Sequence, residues 1–135
     1  MINSIQHFIE KETYEIENSM RKFVEGTFDL DLYGKDLQER ALNLARNILV
    51  ETLEAMDQMI KVSEKRRQAY VVEQSSQPKE LLLPLGNIRF NRTYYTSKRT
   101  GKSVYLLDEV IGLEAHQRIT TGAAAAILEE TLESS

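Results

Sequence analysis

Between Pro78 and Leu113 the chain carries the pattern that most restricts its fold: strand, turn, strand, turn, strand. Leu81 to Leu83 is a short apolar run. Leu85-Gly86-Asn87 is a turn signal, with Gly86 or Asn87 suited to positive φ. From Ile88 to Thr96 the residues alternate. Ile88, Phe90, Arg92 and Tyr94 share one side of an extended chain, and Arg89, Asn91, Thr93 and Tyr95 share the other. Ser97 to Lys102 forms a second turn, with Gly101 as its left-handed residue, and Val104 to Leu107 is the third strand. Tyr70 to Glu73 is a candidate fourth strand, separated from the rest by a turn or short loop at Ser75-Ser76-Gln77-Pro78. A lone hairpin is marginal in water, so this meander needs its apolar face covered. The cover has to come from the helical part of the chain.

Two helices precede the meander. Ile2, Ile5, Ile9, Ile16, Met20 and Phe23 recur at helical spacing, with a polar gap near Glu12 and Thr13, so the first helix runs roughly from Asn3 to Glu25. Gly26 ends it. Phe28, Leu30, Leu32 and Tyr33 are read as a connector, and Lys35 or Asp36 starts the second helix. That helix carries two adjacent apolar stripes. Leu37, Ala41, Leu44, Ile48, Thr52, Ala55, Met59 and Val62 lie on one; Leu42, Ala45, Leu49, Leu53, Met56 and Ile60 lie on the other. From Lys35 to Lys65 it would span about 46 Å at ~1.5 Å per residue. The two helices form an antiparallel hairpin in this reading. The apolar face is wider than one short helix covers, which leaves the sheet or a second copy of the chain to cover the remainder. After Gly112, Thr120 or Thr121 caps a final helix over AAAAILEETL.

Charge is segregated along the chain. Residues 1–60 carry 6 basic and 12 acidic side chains, residues 61–102 carry 10 and 3, and residues 103–135 carry 1 and 6. The overall net charge of −4 conceals a strongly basic middle between acidic ends. Such a block points to a local anionic partner, although any single run of charge also serves as a solvated face. The basic residues coincide with the strands and turns. Arg89, Arg92, Lys98, Arg99 and Lys102 lie there, interleaved with Tyr94, Tyr95 and Tyr105. Arg66 and Arg67 follow the second helix, where cations also suit a helix C-terminus. A two-stranded ribbon fits the major groove of duplex DNA, and a basic turn can follow phosphates. By parity Arg92 falls on the apolar face, where it needs an acidic partner from a helix or a bulge that re-aims it.

Other chemistries find little support. Gly101-Lys102-Ser103 lacks the upstream glycine of a phosphate loop, because Thr96 stands there. His7 and His116 have no second metal ligand at helical spacing, and there is no cysteine. Asp108 and Glu109 are read as a cap or solvated turn at the end of the third strand. No metal and no cofactor is expected. No apolar run approaches the ~18 residues of a membrane span, and the N-terminus lacks a signal-peptide pattern, so a cytoplasmic protein without membrane contact is expected.

The segments L-x-P-L-G-N-I-R-F-N-R-T-Y-Y and K-R-T-G-K-S-V-Y-L-L-D-E-V-I-G-L resemble the N-terminal region of the ISLre-type insertion-sequence transposases. The likeness is strongest from Leu82 to Ile119. It implies a ribonuclease-H-like catalytic domain with an acidic metal-binding triad lying beyond this region, so catalysis is not expected of this chain. It also implies that the region binds the element's DNA and holds protomers together.

The sequence therefore predicts an α+β protein: a long antiparallel helical hairpin, a three- or four-stranded antiparallel β-meander and a C-terminal helix. Residues 1–67 form the hairpin and dimerisation region, 68–113 the basic meander, and 114–135 the final helix. The expected partner is double-stranded DNA, met by Arg66, Arg67, Arg89, Arg92, Tyr95, Lys98, Arg99 and Lys102, with homo-oligomers formed through the N-terminal helices. The competing expectation is a protein–protein interaction module whose basic sheet docks on an acidic protein surface.

Overall fold

A computed structural model describes residues 3–114 and 116–134. Ile2, the first residue of the apolar stripe above, lies outside them. The elements run α1 (Asn3–His7), a π-helical turn (Phe8–Glu12), α2 (Thr13–Val24), α3 (Leu30–Lys61), α4 (Glu64–Ala69), β1 (Tyr70–Leu83), β2 (Gly86–Ser97), β3 (Ser103–Val104), α5 (Leu106–Ile111) and α6 (Thr121–Ser134). This is the expected α+β composition. The chain divides into two compact units, residues 1–51 and 52–135.

In the first unit the π-helical turn lies across the polar gap that the sequence showed. Gly26, at φ +85°, closes the helix as expected, and Thr27 N–H and Phe28 N–H both donate to the Lys22 carbonyl. The next helix starts earlier than predicted. Asp29 Oδ1 accepts from Leu32 N–H at 2.8 Å, so Asp29 is the cap and the presumed connector is the first turn of α3. Phe23 and Tyr33 stack across the turn with centroids 4.7 Å apart. Further from the turn, polar groups tie the helices together. Ser19 Oγ donates to Asp36 at 2.6 Å, and Arg40 meets Asp36 at 3.0 Å and Glu12 at 2.6 Å. The bonds from Ser19, then Arg40, hold the Asp36 carboxyl below the ordinary carboxylate range. No described apolar side chain of this unit is fully buried, and Ile9, Tyr14, Met20, Val24, Leu30 and Leu32 are exposed.

In the second unit the core gathers Leu53, Leu81, Ile88, Phe90, Tyr95, Leu107 and Ala123. The sheet is antiparallel in the order β1-β2-β3. The candidate fourth strand and the Leu81–Leu83 run prove to be one strand, β1, pairing with β2 from Tyr70↔Ser97 to Leu83↔Gly86. The predicted turn at Ser75–Pro78 is a bulge. Register slips between Val72 and Gln77, and Ser76 takes φ +58°. The first hairpin turns on Pro84 and Leu85, and the second places Gly101 at φ +72°.

The third strand is shorter than predicted. It pairs only Val104 with Tyr95 and Ser103 with Thr96, and Leu106 already begins α5. The β2 edge beyond that pairing is taken over by α3. Asn91 N–H donates to Glu54 at 2.8 Å, and Thr93 donates through its backbone N–H at 2.9 Å and its hydroxyl at 2.7 Å to Asp57. Two helical carboxylates thus stand where a neighbouring strand's carbonyls would. This is also why both sides of β2 are buried near Thr93 and Tyr95.

The segment after α5 returns to the sheet. Gly112 ends α5 at φ +73°, Leu82 N–H donates to the Arg118 carbonyl at 2.9 Å, and Thr120 N–H donates to the Leu82 carbonyl at 3.0 Å. Thr120 caps α6 through Ala123 N–H, as one of the two expected candidates. Ile127, Leu128 and Leu132 of α6 are exposed. Asp57→Ala strips the buried Thr93 N–H of its acceptor, and unfolding in urea should show a loss of about 1–3 kcal/mol. An unchanged midpoint would mean the bond contributes nothing to the fold.

Candidate nucleic-acid interface

The structure sorts the eight candidate side chains into those that are tied down and those that face solvent. Arg66 is tied down. Helix α3 ends at Lys61 rather than Lys65, and Ser63 caps the separate short helix α4. From α4 the Arg66 Nε donates back to the Lys61 carbonyl at 2.8 Å, its Nη1 reaches the Tyr70 carbonyl at 3.4 Å, and its guanidinium lies 5.8 Å from the Tyr95 ring. It closes the end of α3. Tyr95 is wholly enclosed, with 0% of its surface exposed, and its burial pushes the phenol upward. Tyr95 therefore presents no face to a polyanion in this fold, and Arg66 is half-buried with its guanidinium engaged by backbone carbonyls.

Arg92 stays on the inner side, where parity put it, and meets the acidic partner that position requires. It forms a buried ion pair with Asp108 and lies 3.6 Å over the Tyr105 ring. Tyr105 in turn packs on Tyr94 at 4.5 Å. Asp108 is therefore not a solvated strand end. It sits in the first turn of α5, buried, and the second oxygen, Oδ1, has no hydrogen-bond partner among the described residues. Burial pushes the Asp108 carboxyl up, against the pull of Arg92. Arg92 is thus a core residue in its own ion pair, and its removal from the exposed set follows from Asp108 being helical.

Arg67, Lys98, Arg99 and Lys102 are exposed and come together. Lys98 N–H donates to the Ala69 carbonyl at 2.9 Å, and Lys98 Nζ donates to the Arg67 carbonyl at 2.6 Å. These bonds pin the β2–β3 turn against the end of α4. The turn itself is closed by Ser97 N–H to the Lys102 carbonyl at 2.8 Å and Gly101 N–H to the Ser97 carbonyl at 2.9 Å. One carboxylate stands nearby on the ribbon. Glu73 accepts from Thr96 at 2.6 Å and Ser103 at 2.9 Å, and these bonds hold it below its ordinary range. Arg89 does not join the group. It lies in the opposite half of β2, exposed, with Glu80 across the ladder at 3.8 Å.

The sequence reading passed over Lys79, which is buried to 8% exposure on β1, and Arg118, which the loop before α6 carries to the same region. Lys79 gave no clear signal, because Gln77, Pro78 and Glu80 flank it on the strand. Arg118 gave no signal, because its position depends on the Leu82 backbone bridge. Among the described residues no three His, Asp or Glu side chains converge to hold a metal, and no helix is long and apolar enough to cross a membrane.

A family model described as Uncharacterised protein family (UPF0236) matches residues 24–135. The chain belongs to this family. Among curated relatives, one UPF0236 protein of Caldanaerobacter subterraneus subsp. tengcongensis is 28% identical over 123 residues, covering 91% of this chain and 26% of the relative. A second from the same organism is 33% identical over 99 residues, covering 73% of this chain and 21% of the relative. The matched part of the chain thus spans about a fifth to a quarter of the length of these relatives. No solved structure matches it.

The Arg92–Asp108 pair yields a prediction. Asp108→Ala strands a buried guanidinium and should cost roughly 3–5 kcal/mol, whereas Arg92→Met with Asp108→Leu should cost much less. Denaturant titration of the single and double variants checks this. Equal losses would show that the charge pairing is not the reason for the sensitivity.

Proposed function

We propose that this chain is a DNA-binding and protomer-associating region of a transposase resembling the ISLre-type insertion-sequence enzymes, and that it contributes no catalytic residues itself. The observation that carries the reading is the exposed group Arg67, Lys98, Arg99 and Lys102 around one pinned turn. Four exposed cations gathered on one hydrogen-bonded turn suit a run of phosphates better than a single acidic side chain. The family relationship is compatible with a segment of a longer enzyme. The name of one relative joins eleven designations within one organism. We read that multiplicity as copies of one gene, the pattern a mobile element leaves.

Protomer association is supported by the first unit. Its polar ties hold the hairpin while six large apolar side chains remain exposed. A second copy of the same surface would cover them, giving a helical dimer.

Two experiments follow. Fluorescence anisotropy with a mixed-sequence duplex should show binding whose log–log salt slope is about −3 to −4, the value for four phosphate contacts. Lys98→Ala, Arg99→Ala and Lys102→Ala together should weaken it and flatten the slope while the chain still folds, with only a small loss of stability from the Lys98 bond to the Arg67 carbonyl, because turn-tip side chains hold little of the core. No duplex binding at low salt, beside binding to an acidic protein surface, would favour the interaction-module reading. Sedimentation at micromolar concentration should give a dimer, and a persistent monomer would remove the association role.

A further inference from the structure

Two uncovered surfaces of the second unit complement each other. The first is an open pocket of about 550 Å³ lined from the end of α3, from α4 and from α5. Ile60, Ala69, Tyr70, Leu106 and Val110 make its wall largely apolar, and Val110 is 62% exposed. Its charge is divided by side. On the α4 side, Lys65 lines the pocket and Arg67 follows two residues on, both exposed. On the α5 side stands Glu109.

The second surface is α6. Leu128 and Leu132, one turn apart, are 60% and 67% exposed. Glu129 and Glu133 run beside them along one flank, also exposed, while Ile127 and Thr131 form the other flank and carry no charge. The helix therefore has an apolar stripe, one acidic flank and one neutral flank. Laid in the pocket with its acidic flank toward α4, it meets lysine and arginine there and sets no carboxylate of either flank against Glu109. Apolar anchors one turn apart are the usual way an amphipathic helix enters such a groove.

The chain's own α6 lies too far away. The helix starts at the opposite end of the sheet, where Thr120 N–H donates to the Leu82 carbonyl and Gly122 faces Pro84. Tyr70, in the pocket wall, opens the strand that carries Leu82, roughly 35 Å from it at about 3.3 Å per residue. From Thr121 to Leu132 the helix advances only about 17 Å at ~1.5 Å per residue.

We propose that α6 of one copy docks in the α3–α5 pocket of a second copy. Leu128 and Leu132 pack on Ile60, Leu106 and Val110, and Glu129 and Glu133 pair with Lys65 and Arg67. The contact lies wholly within the second unit, so it rests neither on association through the first unit nor on duplex binding.

The chain has no cysteine, so disulfide trapping reads this contact directly. Val110, Leu128 and Glu80 are exposed, and cysteine at any of them leaves the core intact. Intact Val110→Cys and Leu128→Cys chains, mixed under mild oxidation, should join at least tenfold faster than Glu80→Cys and Leu128→Cys chains. Copies held together by the first unit alone would join both pairs alike. Lys65→Glu with Arg67→Glu in the Val110→Cys chain should slow trapping, and Glu129→Lys with Glu133→Lys in the Leu128→Cys chain should restore it. Equal rates for the two pairs, no disulfide, or no recovery on charge exchange would overturn the proposal. So would an intramolecular disulfide at high dilution in a chain carrying both Val110→Cys and Leu128→Cys, because the helix would then occupy its own pocket.

Discussion

The second unit depends on α3 supplying acceptors to a strand edge that no strand covers. A β-strand with unpaired N–H groups must find partners or remain in water. β3 is only two residues long and satisfies the end of β2 nearest the basic turn. Glu54 and Asp57 satisfy the adjoining stretch at Asn91 and Thr93. Their spacing of three residues puts both on one side of the helix, matching two alternate N–H groups on the strand. That match fixes the register of helix against sheet. It also encloses Tyr95 and Thr93 on the side of β2 that would otherwise face solvent.

The cations divide by what their backbone allows. Arg92 comes from the middle of a strand packed on two sides, so its charge must be met locally, and α5 provides Asp108. Arg66 sits one turn past the end of α3, within reach of carbonyls left open there. Arg99 and Lys102 occupy a turn closed internally by backbone and small hydroxyl groups, so their heads are not consumed in holding it, whereas the Lys98 head ties the turn to the Arg67 carbonyl. The same sequence block therefore holds structural, pocket-lining and solvent-facing cations, and its net charge alone does not separate them.

Much of the architecture was legible. The alternation from Ile88 to Thr96 marked β2, Gly26 and Gly101 marked their turns, and the stripe in α3 marked a long helix. The misreadings share a cause: a local signal with two uses. Ser75-Ser76-Gln77-Pro78 has turn composition, yet a bulge uses the same residues when a strand resumes beyond them. Leu106 and Leu107 look like strand, but β3 has already lost its partner there and the chain coils into α5. Asp29 caps a helix whose first turn reads as a connector because Gly34 follows it. For the candidate site, exposure of the turn was readable from its composition. The burial of Tyr95 and the neutralisation of Arg92 were not, since both depend on residues of α3 and α5 distant in sequence.

The bulge in β1 has a consequence for solution behaviour. This strand is 14 residues long and forms one border of the sheet, with a backbone bridge to another segment at Leu82. A flat border of that length is a template on which foreign chains can grow into fibrils. Ser76 in the left-handed region and the imide nitrogen of Pro78 interrupt it midway. The irregularity divides one adhesive rim into two shorter stretches that do not run on in register.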